Sequence, residues 1–147
     1  MAGRDQFRSG LERRIAGDLQ RRRVGFDYEA FKVPYTQPAK DRLYLIDFVI
    51  PNGIIIEAKG RWETADRQKF VMIKDSWPDL DIRFVFSRSA STISKTSRTT
   101  YADYCESHGW QYADKAVPYA WIEEPKNPKS IAAIRKILQS PINKRKK

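Results

Sequence analysis

The stretch IDFVIPNGIIIEAKG, residues 46–60, decides how the chain is read. Two strongly apolar strands, Leu43–Ile50 and Gly53–Lys59, meet at Pro51-Asn52-Gly53, a turn-forming triplet. A three-residue hairpin loop sets Ile50 opposite Ile54, and counting outward sets Asp47 opposite Glu57. Both carboxylates then share one face with Lys59, two residues further along the second strand. A two-residue loop would throw them onto opposite faces. Charged side chains inside such apolar strands cost several kcal/mol each unless they are paired or hold a metal. Edge protection or a simple Glu–Lys pair explains one of the three charges more readily than all of them. Two facing carboxylates suit an oxygen-seeking divalent ion, Mg²⁺ or Mn²⁺, with the Lys59 ammonium beside it to orient a water or steady a phosphate. The expectation is a metal-dependent phosphodiesterase site.

Outward from this hairpin, the charge is uneven. The 147 residues carry 28 Lys and Arg against 18 Asp and Glu, a net of +10. Residues 1–23 hold +4, residues 126–147 hold +8, and the middle holds −2. Basic arms around a neutral, carboxylate-bearing middle suit a polyanion, since neutralised phosphates release condensed counterions. A solvated tail is the plainer reading of Lys144-Arg145-Lys146-Lys147 alone. One cysteine and one histidine argue against a disulfide framework, a multi-thiolate metal site and zinc or His-triad hydrolysis. No apolar run approaches a membrane span, and Met1-Ala2-Gly3-Arg4-Asp5 lacks the apolar stretch of a signal peptide, so a cytoplasmic protein is expected.

Elsewhere the pattern mixes strands and helices. A helix is expected from Ser9 to about Arg23, a strand over 26–35, an extended polar segment over 36–42, and a helix from an N-cap at Thr64 to about Trp77. A strand over 81–87 follows, then a loop over 87–100 in which nine of fourteen residues are Ser or Thr. A short helix over 101–108 ended by Gly109 and an amphipathic helix from Ser130 to Gln139 complete the reading. The fold class is α/β (α+β), with a central mixed sheet flanked by helices.

Asp47, nine residues, then Glu57-Ala58-Lys59 resembles the PD-(D/E)xK nuclease signature, with Ile46 where that signature often has proline. The ordered blocks FRSGLE (7–12), FDYEAFKVPY (26–35), IDFVIPNGIIIEAKG (46–60), DIRFVFS (81–87), YCESHG (104–109) and WIEEPK (121–126) resemble the phage endonuclease I family, the Holliday-junction resolvases of T-seven-like podophages. That resemblance implies one restriction-endonuclease-like domain in an intertwined homodimer. It divides into a swapped segment (7–35), a bridge (36–42), a catalytic core (43–126) and a final helix with a basic tail (127–147). It implies catalytic residues Asp47, Glu57 and Lys59 from one chain and Glu12 from the other, with Glu29 a further required acid. Two metal ions are implied, Asp47 shared, Glu57 and the Ala58 carbonyl on one and Glu12 on the second. The implied activity is metal-dependent hydrolysis of four-way DNA junctions, leaving 5′-phosphates. Cleavage without junction preference and a non-catalytic DNA-architectural role are the alternatives.

Each residue also has a plainer reading. Ser9-x-x-Glu12 is a capping box by spacing, and the resemblance is what moves Glu12 into the site. Glu29 by periodicity is the outer face of a strand, and Lys59 could be a surface partner of Glu57. Arg61, Arg67 and Lys69 either line the approach to the site or solvate a helix. Arg88, Lys95 and Arg98 suit DNA backbone contacts, as do Lys144 and Arg145 in the tail. The four tryptophans, Cys105 and His108 are expected to be structural.

Overall fold

The computed structural model describes residues 6–37 and 40–144. Its sheet has five strands in the order β1 (Asp27–Tyr28), β4 (Phe48–Val49), β5 (Ile54–Lys59), β6 (Asp81–Phe86) and β7 (Tyr112–Asp114). β1 with β4 and β4 with β5 pair antiparallel, whereas β5 with β6 and β6 with β7 pair parallel, so the sheet is mixed as expected. Alternation along β5 and β6 sorts side chains to two faces. Ile55, Phe84 and Phe86 join Phe70 and Ile73 of α2 (Thr64–Ser76), Tyr101 and Cys105 of α3 (Tyr101–His108) and Ile134 of α5 (Pro128–Leu138). Ile54, Ile56 and Val85 join Ile15 and Leu19 of α1 (Gly10–Arg21) and Trp121 of α4 (Tyr119–Glu123). No helix among the described residues is long and apolar enough to cross a membrane.

The central hairpin has the register read from its turn. Phe48 faces Ile56 and Val49 faces Ile55, and the Ile50 N–H donates to Ile54 O at 3.0 Å. Gly53 holds φ +96° at the turn, a conformation other residues rarely adopt. The C-terminal segment grips this turn. Asn52 Nδ2 donates to Trp121 O and Glu124 O, Asn127 N–H donates to Asn52 O, and Ser130 Oγ donates to Gly53 O.

Two expected strands are each broken. The 26–35 stretch divides into β1 and β2 (Lys32–Gln37), and 43–50 divides into β3 (Lys40–Leu45) and β4. β2 and β3 pair antiparallel as a separate two-stranded sheet that takes in the described part of the 36–42 segment, which is extended as expected and in addition laddered. Between the Tyr28–Phe48 and Lys32–Leu45 pairs, Glu29, Ala30 and Phe31 oppose only Ile46 and Asp47. One extra residue on one strand is a β-bulge, which bends the ladder from one sheet into the other. Glu29 sits in it at φ +50°, left-handed without being glycine, so the strand periodicity assigned to it does not apply.

Smaller departures concern helix ends. Glu63, not Thr64, is the N-cap residue of α2, and α5 begins at Pro128 behind an Asn127 cap. α4 and the short α6 (Pro141–Lys144) stand where no helix was expected.

Candidate active site

Asp47 lies at the bulge and Glu57 near the end of β5, 8% and 0% exposed. The Asp47 N–H donates to Glu57 Oε2 at 3.0 Å, and the Ala58 N–H donates to Asp47 Oδ2 at 2.9 Å. The two carboxyls thus hold each other's strands, as the three-residue turn requires. Lys59 follows on the same face, its ammonium 2.7 Å from Asp66 Oδ2 of α2, 3.2 Å from the Tyr44 hydroxyl and 3.9 Å from Glu57 Oε1. It lies over the Phe70 ring at 4.9 Å, which explains how a lysine is tolerated in this apolar setting.

Glu12 approaches from α1, on the opposite side of the sheet. Ser9 caps that helix by accepting from the Glu12 N–H, but the Glu12 carboxylate makes no reciprocal bond to Ser9 as a capping box would. Its Oε1 accepts instead from the Arg8 N–H at 2.8 Å and the Tyr28 hydroxyl at 2.5 Å. Although only 7% exposed, Glu12 is close enough for its charge to act on Asp47. Glu29 pairs with Arg8 Nε at 3.1 Å, and its N–H donates to Asp47 O. Asp47 is thus the meeting point of groups from both sheet faces.

Burial is the first cause raising both Asp47 and Glu57 above the ordinary carboxylate range. Glu57 adds to the rise at Asp47, and Lys59 offsets part of it at Glu57. At Lys59 burial works against the charge, but Glu57 and Asp66 outweigh it and keep the ammonium protonated. That one ammonium serves Asp66 as well, so it does not neutralise the pair. Additional positive charge is needed for both carboxyls to ionise, which fits a divalent cation. Among the described residues no three His, Cys, Asp or Glu side chains close into a metal cage. The donors on offer are the Asp47 and Glu57 carboxylates, and an Mg²⁺ held by them would draw the rest of its shell from water and phosphate oxygens.

The other sequence-selected residues divide. Arg61 (86% exposed, 3.4 Å from Glu63), Lys95 and Thr64 line one shallow groove at the start of α2, beside the end of β5. Arg88 and Arg98 are exposed on the Ser/Thr loop, which contains one isolated bridge and no strand. Lys69 lies at the rim, over the Tyr44 ring at 5.2 Å. Arg67 does not belong with them. It is 5% exposed and donates to Trp62 O at 2.6 Å and Thr64 Oγ1 at 3.0 Å, tying the turn before α2 to its first residues. The Lys144 side chain and Arg145 lie outside the described residues. Trp62, Trp110, Trp121 and Cys105 are buried, and the half-buried His108 ring stacks on Tyr104 and Trp110. Sequence reading missed Tyr44, Asp66 and Tyr28, which touch Glu57, Lys59 and Glu12. Their only signal was a polar group on an element later found against the site.

A mixed sheet that sets Asp47, Glu57 and Lys59 together across a tight hairpin has the arrangement of the PD-(D/E)xK class of nucleases. The family model described as phage endonuclease I matches residues 2–140. Endonuclease I of Escherichia phage T7 is 48% identical over 120 residues, covering 82% of this chain and 80% of the relative. Endodeoxyribonuclease 1 of Enterobacteria phage T3 is also 48% identical over 120 residues, covering 82% and 79%. The chain belongs to the phage endonuclease I family.

Proposed function

We propose that this protein is a homodimeric, structure-selective DNA endonuclease that resolves four-way junctions by divalent-metal-dependent phosphodiester hydrolysis. The observation that carries the chemistry is the facing of two buried carboxyls, Asp47 and Glu57, with an ammonium beside them. Asp47, Glu57 and the Ala58 carbonyl would hold one Mg²⁺ or Mn²⁺, and Asp47 with Glu12 a second. Such ions lower the pKa of a water and neutralise charge on the scissile phosphate and leaving oxygen. Lys59, fixed by Asp66 and Tyr44, orients the attacking water and steadies negative charge on the phosphate. Attack at phosphorus with loss of the 3′ oxygen leaves a 5′-phosphate and a 3′-hydroxyl. Arg61, Lys69, Arg88, Lys95 and Arg98 hold the DNA backbone, and Glu29 acts through the bulge and Arg8.

The dimer reading draws on the β2–β3 ladder. Its pairs run from Lys32–Leu45 to Gln37–Lys40, symmetric about the 38–39 junction. The same pairs form between two chains that run straight through 38–39 about a twofold axis. Pro38 favours that extended path, because the two-residue turns that best match strand twist, types I′ and II′, have a positive φ at their first position and proline is fixed near −65°. Glu12 would then reach Asp47 of the other chain through the contacts α1 makes here. Two sites at a fixed angle engage two helical arms, giving junction selectivity without base readout.

Cleavage of a labelled four-way junction beside linear duplex, with Mg²⁺ or EDTA, tests the proposal. Paired nicks in the junction only, abolished by EDTA and by Glu57→Ala with binding retained, are expected. Equal cutting of duplex would remove junction selectivity, and binding without cleavage in either metal would leave only an architectural role.

A further inference from the structure

Tyr44 is not among the residues that the nuclease signature marks, yet its hydroxyl lies between two that are. It donates to Glu57 Oε1 at 2.7 Å and accepts from Lys59 Nζ at 3.2 Å. The ring is fixed edge-on to Phe70, with centroids 5.0 Å apart. Asp66 draws the same ammonium from the other side at 2.7 Å. With both in place Lys59 stops 3.9 Å from Glu57 Oε1, beyond hydrogen-bond distance. Glu57 and Lys59 are two residues apart on one face of β5, and a lysine's four-carbon stem is flexible. Unrestrained, the ammonium would close on the carboxylate into a charge-assisted bond of about 2.8 Å. Tyr44 takes one lone pair of Oε1 without bringing a charge, whereas the ammonium would take the other and neutralise the carboxylate that a divalent cation needs.

We propose that Tyr44 is a positioning residue, a spacer that with Asp66 keeps the Lys59 ammonium off Glu57 and so leaves the Glu57 charge and its second lone pair on Oε1 available to a metal. The inference rests on the metal-dependent reading of the site. It makes the effect of Tyr44 on metal binding conditional on the lysine, which a merely packing role would not.

Calorimetric titration of Mn²⁺ into the full-length protein without DNA tests it. Tyr44→Phe keeps the ring and should weaken Mn²⁺ binding about tenfold. In a Lys59→Met background, where no ammonium can collapse, the same change should cost less than about twofold. Asp66→Ala releases the lysine from its other side and should behave alike, which carries the test if Tyr44→Phe does not fold. Equal losses with and without Lys59, or no loss from either substitution, would overturn the spacer while leaving the metal site standing. Failure of the unaltered protein to bind Mn²⁺ would overturn both.

Discussion

The Asp47 N–H donates to Glu57 Oε2 across 3.0 Å, so the backbone of one strand fixes the carboxylate of the next. The relation exists only in one hairpin register. Everything that holds that register is therefore remote machinery of the site, including the grip of the C-terminal segment on Asn52 and Gly53.

Gly53→Ala should destabilise the fold by about 2 kcal/mol, read by urea unfolding. At φ +96° a Cβ would be strained and would also stand 2.9 Å from Ile131 Cγ1. An unchanged midpoint would mean that the turn can relax away from α5.

Glu29→Gly should raise stability by up to about 1 kcal/mol or leave it unchanged, because glycine accepts the left-handed conformation without strain. Among the partners of its side chain, Arg8 is 72% exposed, so that ion pair contributes little. Junction cleavage should nonetheless fall at least about tenfold if strain is retained there for function. Gain of stability with full activity would return Glu29 to a surface role.

Arg67→Ala and Lys95→Ala should separate cleanly. The first leaves the Trp62 carbonyl without its buried donor and should cost about 2–3 kcal/mol of stability, with unchanged DNA affinity for the folded fraction. The second should leave the urea midpoint in place and lower the salt slope of junction binding by about 1. A reduced salt slope for Arg67→Ala in folded protein would put that residue back among the DNA contacts.

Metal-free protein should lose stability as pH rises. Asp47 and Glu57 titrate above their unfolded values near 4, so the folded chain holds more protons than the unfolded chain above that pH. Their stabilising protonation is complete below about pH 4 and is lost as pH climbs through the raised values. Thermal melts in EDTA from pH 5 to 9 should show a decline that Glu57→Gln reduces and Mg²⁺ reverses. A flat profile would mean the pair is better solvated than its burial indicates.

The legible part of this protein lay in local chemistry. Pro51-Asn52-Gly53 between two apolar runs specified turn, register and the facing of Asp47 and Glu57, because strand alternation leaves a one-residue slip no compromise. Gly109 ended α3 in the left-handed conformation as its position indicated. The bulge was not legible. Residues 26–35 alternate smoothly, and the extra residue shows only when both partner strands are paired, since neither run alone records the shift between its two ladders. Arg67 shares composition with its exposed neighbours and is distinguished only by the Trp62 carbonyl it meets. Tyr44 and Asp66 likewise acquire meaning only from elements that fold against Glu57 and Lys59.

The central claim, that the facing carboxyls hold a metal for phosphodiester cleavage, is tested most directly by anomalous scattering from crystals grown with Mn²⁺. The account predicts a Mn²⁺ peak about 2.0–2.3 Å from an oxygen of each of Asp47 and Glu57, displaced in Glu57→Ala. Crystals of protein that cleaves junctions in Mn²⁺ solution, yet show no ion between these two residues, would contradict it.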